Sequence, residues 1–284
     1  MDQELIDIIK NGLREDIRDG DHSSQACIPK EAIGSAKLLV KDDGIIAGVD
    51  VAIQICSIFD NKLKINVFIQ DGTPVKIGDV VFELSGPARS ILTVERLILN
   101  CMQRMSGIAT QTNQIVSKIK DTDVKLLDTR KTTPGIRYLE KWAVKIGGAD
   151  NHRFGLYDMI MIKDNHVDFA GGVSKALKAV ETYQIENNLN LKVEIEVRNE
   201  QELIEAIQCG GFDRIMLDNF SPDEIRSVLP HIPKGIETEA SGGITMETIR
   251  SFAETGIQFI SVGALTHSVK CLDLSLKSSF SFSN

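Results

Sequence analysis

The spacing of hydrophobic residues changes twice along the chain. Residues 2–18 carry apolar side chains at helical intervals, among them Leu5, Ile9 and Leu13, and predict an amphipathic helix. From about residue 34 to residue 92 the apolar runs are short and are separated by turn-forming residues, which is typical of strands. Strands are predicted at 36–40, 45–48, 63–69, 80–84 and 89–92, and a helix at 49–59.

A long helix is predicted next, from about residue 93 to residue 120. Thr93 has the type of side chain that caps helix N-termini. Gly107 lies inside this helix and weakens the prediction there, because glycine has a low helix propensity.

After residue 122 short apolar strands alternate with helical stretches, which indicates a parallel sheet covered by helices. The strands are predicted at 124–127, 159–162, 192–197, 214–217, 236–239 and 259–262, and the helices at 138–146, 173–186, 200–208, 222–229 and 246–254. Six strands over about 140 residues are too few for a standard eightfold barrel of about 250 residues. An open or reduced α/β barrel therefore fits best, and a doubly wound sheet is the alternative.

Polar or glycine residues stand at the ends of all six strands. In α/β barrels and open α/β sheets, functional sites form at the carboxyl ends of the strands. These ends carry Asp128, Thr129, Arg130 and Lys131, then residues 163–166, Glu194 and Glu196, Asp218 and Asn219, residues 239–243, and Gly263 and Ala264. We expect them to share one rim.

Four cations belong to this rim: Arg130, Lys131, Arg153 and Lys163. Like charges held together repel one another unless an anion is bound, and arginine suits carboxylates and phosphates. The cluster therefore predicts a small, multiply anionic substrate. The alternative is that some of these cations form structural ion pairs with Asp128, Asp150 or Asp164.

Carboxylates at the rim suggest a different task. Glu196 and Asp218 could hold Mg²⁺, which prefers oxygen ligands and often bridges to substrate phosphates, or could stabilise positive charge in a transition state. Glu194 and Glu196 share one face of their strand because side chains alternate with a period of two. The pattern alone does not choose between them.

A glycine-rich pair of loops follows the last two strands. Ser241, Gly242 and Gly243 precede a helix predicted from Thr245, and Gly263 and Ala264 follow the final strand. Glycines let backbone N–H groups approach a phosphate, and barrels often bind phosphate in these two loops.

Composition narrows the range of partners. The chain has 32 basic and 40 acidic residues and a net charge of −8, which argues against a nucleic-acid-binding surface. Five widely spaced cysteines without a C-x-x-C motif are typical of reduced thiols in the cytoplasm. No apolar run approaches the roughly 18 residues of a membrane span, and the acidic N-terminus lacks the features of a secretory signal.

Three motifs carry a specific resemblance: DTRKTTPG at 128–135, GGADNHR at 147–153 and IKDNH at 162–166. Together with LRED at 13–16, SGIAT at 106–110, LDN at 217–219 and ASGGI at 240–244, they resemble the quinolinate phosphoribosyltransferase family over essentially the whole chain. The departures are small: Ala149 replaces a frequent glycine, and His22-Ser23 replaces an apolar-Thr pair.

The resemblance implies a type II phosphoribosyltransferase-like fold. An N-terminal α/β sandwich domain is expected over residues 1–110, an open parallel α/β barrel over 111–267, and a tail at about 268–284 that returns to the first domain. It also implies the reaction, in which quinolinate and phosphoribosyl pyrophosphate give nicotinate mononucleotide, pyrophosphate and CO₂ with Mg²⁺, a step of NAD biosynthesis.

The resemblance further implies roles for individual residues. Arg130, Arg153 and Lys163 would bind the two carboxylates of quinolinate, with His152 beside them, and Lys131 would reach the ribosyl-phosphate side. Glu196 and Asp218 would lie near the ribose and the metal, which favours Glu196 over Glu194. The 5′-phosphate would be held by Ser241, Gly242, Gly243 and Gly263. Arg96 would enter the site of a neighbouring subunit, so a homodimer would be the smallest working unit.

Three alternatives remain at this point. A related family associated with molybdenum utilisation shares parts of the pattern, although the intact NHR and KDNH motifs favour the quinolinate enzyme. Lys163 could form a Schiff base in a class I aldolase, which requires a desolvated lysine. The protein could also bind anionic metabolites without turnover.

Overall fold

The computed structural model describes residues 2–279, and its contacts divide the chain into two compact units. The first unit comprises Met1–Asn113, Thr132–Gly148 and Leu265–Asn284, and the second comprises Gln114–Lys131 and Ala149–Ala264. Residues 280–284 of the predicted tail lie outside the described residues. Among the described residues, no helix combines the length and apolar character needed to cross a membrane.

An antiparallel four-stranded sheet forms the centre of the first unit. Its strands are β1 (Ile33–Val40), β3 (Lys64–Val67), β5 (Val80–Pro87) and β12 (Leu274–Ser279), and a separate pair consists of β2 (Gly44–Ile45) and β4 (Pro74–Val75). The strand order is β12-β1-β5-β3, so the strand at 274–279 returns to pair with β1. Helices α1 (Gln3–Ile17), α2 (His22–Cys27), α3 (Val49–Phe59) and α5 (Arg137–Ile146) belong to the same unit.

The long helix α4 spans Ala88–Ile119 and begins earlier than predicted. The strand predicted at 89–92 is wrong, because Ala88, Ile91 and Val94 are buried at helical intervals. Thr93 is therefore not an N-cap. Its single hydroxyl proton can be shared between the Asp21 carboxylate and the Arg89 carbonyl oxygen, each 2.9 Å away.

Gly107 does not interrupt α4. A Cβ atom at this position would lie 2.3 Å from the backbone oxygen of Lys270. The glycine is thus explained by a close approach of two backbones, which no larger residue permits.

Residues 132–148 group with the first unit, whereas the sequence placed them in the barrel. Within this unit Glu140, which is fully buried in α5, accepts hydrogen bonds from Arg104 of α4 at 2.8 and 2.9 Å. A Cβ atom on Gly147 would lie 2.6 Å from the Ala109 carbonyl oxygen, so α5 ends against α4.

Six parallel strands form the sheet of the second unit. They are β6 (Lys125–Leu127), β7 (Ile160–Ile162), β8 (Val193–Val197), β9 (Arg214–Asp218), β10 (Glu237–Ser241) and β11 (Phe259–Ser261). They alternate with α6 (Asp164–Ala170), α7 (Val173–Glu186), α8 (Glu200–Cys209), α9 (Pro222–Val228) and α10 (Ile249–Ala253), and α11 (Ala264–His267) follows the last strand. Helix α6 was absent from the prediction, and the helix predicted from 246 begins only at Ile249.

The strand order is β6-β11-β10-β9-β8-β7, which follows the chain in a cycle without a point of reversal. A doubly wound sheet would reverse direction, so the open barrel is confirmed and the doubly wound alternative is wrong. The sheet is open between β6 and β7. At the free edge of β6, Asp150 forms a single parallel bridge with Leu127 and brings the segment after it to the sheet.

Candidate functional site

The ends of neighbouring barrel strands bring the predicted residues together. Asp218 and Ser241 are register partners on β9 and β10, and the Asn219 amide donates to the Ser241 carbonyl oxygen at 2.8 Å. Glu194 and Glu196 alternate along β8 with Ile195, so both point to the same face. The parallel pairing of β7 with β8 places Lys163, which follows β7, beside this strand end.

The positive charges of two rim arginines, Arg130 and Arg153, are not fully neutralised by nearby carboxylates. Burial and the charge of Arg130 lower the pKa of Arg153, whose Nη1 donates to the Met159 carbonyl oxygen at 3.0 Å. The Nε atom of Arg130 is buried and has no hydrogen-bond acceptor within the described part of the chain. A buried Arg130 N–H without an acceptor, next to a second guanidinium group, is suited to a carboxylate-bearing ligand.

Lys163 pairs with a carboxylate of the site rather than with its neighbour Asp164. Its Nζ atom donates to Glu196 Oε2 at 2.7 Å, and its backbone amide donates to His166 Nδ1 at 2.9 Å. Schiff-base chemistry requires a free, desolvated amine. An ammonium group engaged in an ion pair gives no support to the aldolase alternative.

Glu196 and Asp218 form an acidic pair. Burial and the negative charge of Glu196 raise the pKa of Asp218, which means that the two carboxylates repel each other. The side-chain Nδ2 of Asn219 donates to Asp218 Oδ2 at 2.7 Å, and within the described residues the other Asp218 oxygen accepts no hydrogen bond. Oxygen donors with unbalanced negative charge fit a divalent cation such as Mg²⁺.

The glycine loop after β10 is tightly restricted at one position and open at the next. Gly242 has φ +95°, and a Cβ atom there would lie 2.3 Å from Asn219 Oδ1. Gly243 has φ +62°, and no atom of the described part of the chain lies within 4 Å of the corresponding Cβ position. The predicted helix from Thr245 begins at Ile249, so exposed backbone around Gly243, rather than a helix terminus, is the feature that suits a phosphate here.

The other predicted residues occupy different settings. Lys131 is exposed, and its backbone amide donates to Thr129 Oγ1 at 3.0 Å. Gly263 and Ala264 follow β11 and are half-buried. Arg96 is exposed on α4 and belongs to the first unit, whereas all the other predicted site residues belong to the second.

His152 is buried, with a relative exposure of 7%, and its contacts lie inside the barrel. Its Nε2 atom lies 3.0 Å from Glu194 Oε2 and 3.3 Å from Glu239 Oε2. Burial alone would lower the pKa of His152, but these two carboxylates outweigh burial and raise it to about 9.

On its other side His152 accepts a hydrogen bond. The Arg153 amide donates to Nδ1 at 2.6 Å, which requires Nδ1 to carry no proton. The raised pKa favours a doubly protonated ring, and the two demands conflict. We assign the Nε2–H tautomer. The backbone amide of Arg153 points its proton at Nδ1 and leaves no room for a proton there. The proton that the carboxylates attract can lie between Nε2 and Glu194 or Glu239.

The sequence reasoning missed the partners of His152. Arg214 donates to Glu239 Oε2 at 3.1 Å and to Glu237 Oε2 at 2.8 Å, and its guanidinium lies 4.1 Å from the centre of the Phe259 ring. Asp128, with 0% exposure, accepts from the His152 amide at 2.9 Å. Charged residues at alternate positions of strands predicted to be buried were the available signal.

An open α/β barrel with an arginine pair, an acidic pair and a glycine loop at one rim defines a class of enzymes that act on anionic substrates. Family models for quinolinate phosphoribosyl transferase match this chain in two parts, the N-terminal domain over residues 21–106 and the C-terminal domain over residues 108–277. The chain belongs to the quinolinate phosphoribosyltransferase family. The resemblance predicted from the motifs is confirmed.

Individual relatives support the same assignment. A probable nicotinate-nucleotide pyrophosphorylase (carboxylating) of Bacillus subtilis is 43% identical over 273 residues, which cover 96% of this chain and 93% of the relative. A solved structure of NadC from Streptococcus pyogenes has a TM-score of 0.90 and 38% identity, and covers 98% of this chain and 97% of its own. The nicotinate-nucleotide pyrophosphorylase structure from Francisella tularensis has a TM-score of 0.89 and 39% identity, and covers 98% and 96%.

Proposed function

We propose that this protein transfers a phosphoribosyl group from phosphoribosyl pyrophosphate to quinolinate, with loss of CO₂, and so forms nicotinate mononucleotide and pyrophosphate for NAD biosynthesis. The observation that carries the proposal is that the arginine pair Arg130 and Arg153 and the acidic pair Glu196 and Asp218 follow or end strands on the same rim of the barrel. Cations that can hold a dicarboxylate next to anions that can stabilise a positively charged sugar are what this reaction needs. Family membership supports the same activity.

The arginine side of the rim would bind quinolinate. Arg130 Nε offers a buried N–H that has no acceptor among the described residues, and Arg153 and Lys163 supply two further cations. Charge-assisted hydrogen bonds to both carboxylates would fix the orientation of the pyridine ring. The ring nitrogen would then be aimed at the sugar, and positioning replaces a general base because this nitrogen carries no proton to remove.

The glycine side would bind phosphoribosyl pyrophosphate. Ser241, Gly242 and Gly243, with Gly263 and Ala264 of the next loop, would hold the 5′-phosphate, and Lys131 with Thr129 would meet the ribosyl-phosphate groups. Glycine at 242 permits a backbone path that a side chain would block. Backbone N–H groups next to it can approach phosphate oxygens closely.

The central step separates charge at C1 of the ribose. As the bond from C1 to the pyrophosphate oxygen breaks, the sugar becomes positively charged, and Glu196 and Asp218 would stabilise it electrostatically. The pyridine nitrogen then forms the new bond to C1. Glu196 and Asp218 would also hold Mg²⁺, directly or through water or substrate, and the bound ion supplies charge neutralisation for the departing pyrophosphate.

Decarboxylation then needs little from the protein. The new bond leaves the pyridine nitrogen positively charged. When the 2-carboxylate leaves as CO₂, the electron pair of the broken C–C bond remains on the ring carbon beside that nitrogen, and this carbon takes a proton from solvent water. Arg130, Arg153 and Lys163 hold the ring in place during this step.

We further propose a homodimer or larger homo-oligomer in which Arg96 completes the site of the neighbouring subunit. Its exposure on α4 and its position outside the second unit support this arrangement. The cytoplasm is the proposed compartment, since the described cysteines are free thiols. No nucleic-acid partner is expected at a net charge of −8.

The deciding assay measures release of CO₂ from quinolinate labelled at the 2-carboxylate. We expect release to depend on both phosphoribosyl pyrophosphate and Mg²⁺. Absence of turnover by folded protein that still binds quinolinate would contradict the proposal and favour a binding protein. Borohydride trapping of a carbonyl compound on Lys163 would favour an aldolase.

A further inference from the structure

The interior of the barrel contains charged groups below the proposed quinolinate site. Glu194 and Glu239 have no solvent exposure, and Arg214 is 8% exposed. They come from the adjacent strands β8, β9 and β10, and Glu194 is the register partner of Arg214. Barrel interiors are normally filled by branched apolar residues. Burying charge has a high desolvation cost, so this group calls for a specific explanation.

His152 links this charged interior to the rim. Its Nε2 faces Glu194 and Glu239 at 3.0 and 3.3 Å, and its Nδ1 accepts from the Arg153 amide at 2.6 Å. Nδ1 is therefore hydrogen-bonded within the protein, and Nε2 lies within ion-pair distance of two buried carboxylates. Neither is directed to a ligand at the rim, in contrast to the role in quinolinate binding that the family resemblance implied.

The same contacts fix the backbone that carries Arg153. The His152 amide donates to Asp128 Oδ1 at 2.9 Å, and Asn151 Nδ2 donates to Asp128 Oδ2 at 2.6 Å. Immediately afterwards, Asp158 accepts from the Phe154 and Gly155 amides at 2.5 and 3.1 Å. The Arg153 backbone is thus held on both sides, and on one of them through an imidazole ring.

A metal ion is a weaker explanation for the buried cluster. His152, Glu194 and Glu239 are close enough to share a cation. However, Glu239 Oε2, the oxygen nearest to His152, also accepts from Arg214 at 3.1 Å. Arg214 lies among these carboxylates and also pairs with Glu237 at 2.8 Å, so its guanidinium group would repel a bound cation.

We propose that His152 is a positioning residue. The chain of contacts from Arg214 through Glu239 to His152 holds the Arg153 backbone amide in place. The position of this backbone fixes where the Arg153 guanidinium group meets a substrate carboxylate. This inference rests on the proposed function in one respect, namely that the carboxylate belongs to quinolinate. Asp128 supports the same segment from the end of β6.

The first test compares substitutions of His152 in the full-length protein. Asparagine places an oxygen acceptor near the position of Nδ1, whereas alanine removes both ring contacts. We expect His152→Ala to weaken quinolinate binding about tenfold or more, the effect of losing one charge-assisted contact, and His152→Asn to restore part of the affinity. The KM for phosphoribosyl pyrophosphate should stay unchanged. His231→Gln, an exposed histidine on the 3-10 turn Leu229–His231, is the matched control.

A double-substitution cycle separates positioning from direct contact. If His152 acts through Arg153, His152→Ala should have little further effect on quinolinate affinity in an Arg153→Ala background, since coupled residues are not additive. Glu239→Gln keeps the shape of the side chain and removes its charge. Like His152→Ala, it should weaken quinolinate binding. Fully additive losses, or unchanged affinity in both His152→Ala and Glu239→Gln, would overturn the proposal.

A third measurement is independent of catalysis. NMR of protein labelled at histidine nitrogens should show His152 with an unprotonated Nδ1 and a protonated Nε2, and addition of quinolinate should not exchange these roles. His152→Asn identifies the signal by its loss. A protonated Nδ1, or stoichiometric metal retained by the purified protein and lost in Glu194→Gln, would overturn the proposal. If the proposed function were wrong, the wild-type protein would show no turnover, but His152 would still show an unprotonated Nδ1 and a protonated Nε2.

Discussion

The Lys163 ammonium and the Glu196 carboxylate lie 2.7 Å apart and join the cationic and acidic sides of the proposed site. Each partner has a separate proposed role, Lys163 toward quinolinate and Glu196 toward the ribose. Bound substrates must therefore compete with this ion pair.

Glu196→Gln tests this relationship. We expect kcat to fall about a hundredfold, because a carboxylate that stabilises the positive sugar is lost. Quinolinate affinity should stay equal or rise, since Lys163 is released from its partner. Steady-state kinetics and calorimetry provide the two measurements. Glu200→Gln, at the exposed start of α8, is the control, and an unchanged kcat in Glu196→Gln would contradict the role given to Glu196.

The arginine pair gives a second prediction. Arg130→Lys keeps the charge but loses the Nε–H, and should weaken quinolinate binding about tenfold, whereas Arg130→Ala and Arg153→Ala should weaken it further. The KM for phosphoribosyl pyrophosphate should change little. Arg226→Ala, which removes an exposed pair with Asp223, serves as the control. Unchanged quinolinate affinity in both alanine variants would refute the assignment.

Neighbouring glycines offer a matched comparison. In Gly242→Ala the new Cβ atom would meet Asn219, and the backbone would also be strained at φ +95°. Gly243→Ala meets open space at φ +62°, which costs about 1–2 kcal/mol of backbone strain. We expect a much larger rise in the KM for phosphoribosyl pyrophosphate in Gly242→Ala. Equal effects would argue against close packing of this loop.

Asp21 should make stability depend on pH. Its carboxylate accepts from the Ser24 hydroxyl at 2.5 Å and the Ser24 amide at 3.0 Å, and these bonds together with the Thr93 hydroxyl lower its pKa. A lowered folded-state pKa contributes stability above the ordinary pKa of about 4, and this stability is lost as the pH falls through the folded value.

Asp21→Ala should therefore reduce the free energy of unfolding by about 1 kcal/mol at pH 7, the usual cost of removing an N-cap. The difference from wild type should shrink at about pH 3. Urea unfolding at the two pH values measures it, with Asp19→Ala at a neighbouring exposed carboxylate as the control. A difference that is equal at both values would exclude an ionised cap.

Gly107→Ala should reverse the usual effect of such a change. In an ordinary helix alanine is more stable than glycine by about 1 kcal/mol. Here the Cβ atom would lie 2.3 Å from the Lys270 oxygen, so we expect destabilisation of about 1–3 kcal/mol. Gly12→Ala in α1 meets only the flexible end of Leu97, at 2.7 Å, and should be milder. A more stable Gly107→Ala would show that the backbones can separate.

The barrel was predictable because its strands are short, apolar and separated by helical periods. All six predicted strands overlap observed ones, including 193–197 and 214–218. Local patterns failed where a tertiary contact decides the structure. Residues 89–92 form a short run after turn-forming residues, as a strand would, but burial of Ile91 and Val94 places them in α4. Residues 132–148 follow the first barrel strand in sequence and nevertheless pack in the other unit, through the contact of Glu140 with Arg104.

In the site, too, residues fixed by local pattern could be predicted and residues fixed by tertiary contacts could not. Strand ends identified Arg130, Lys163, Glu196 and Asp218, because position along a parallel strand determines which rim a residue reaches. The roles of Glu194, Glu239 and Arg214 depend on which side chains meet across the barrel interior, and spacing along one strand carries no such information. His152 was therefore assigned by resemblance to the substrate, whereas its contacts point inward.

The pairing of β12 with β1 also has a consequence for synthesis of the protein. A ribosome releases β1 long before β12, because the two strands stand at 33–40 and 274–279. Until the last strand emerges, the open edge of β1 presents unpaired backbone groups of the kind that other chains can join. The barrel strands, which stand between β1 and β12 in the sequence, can fold first, since domains generally fold as units during synthesis. Completion of the antiparallel sheet is thus a late event, and nascent chains that stall before residue 274 should be the species most prone to aggregation.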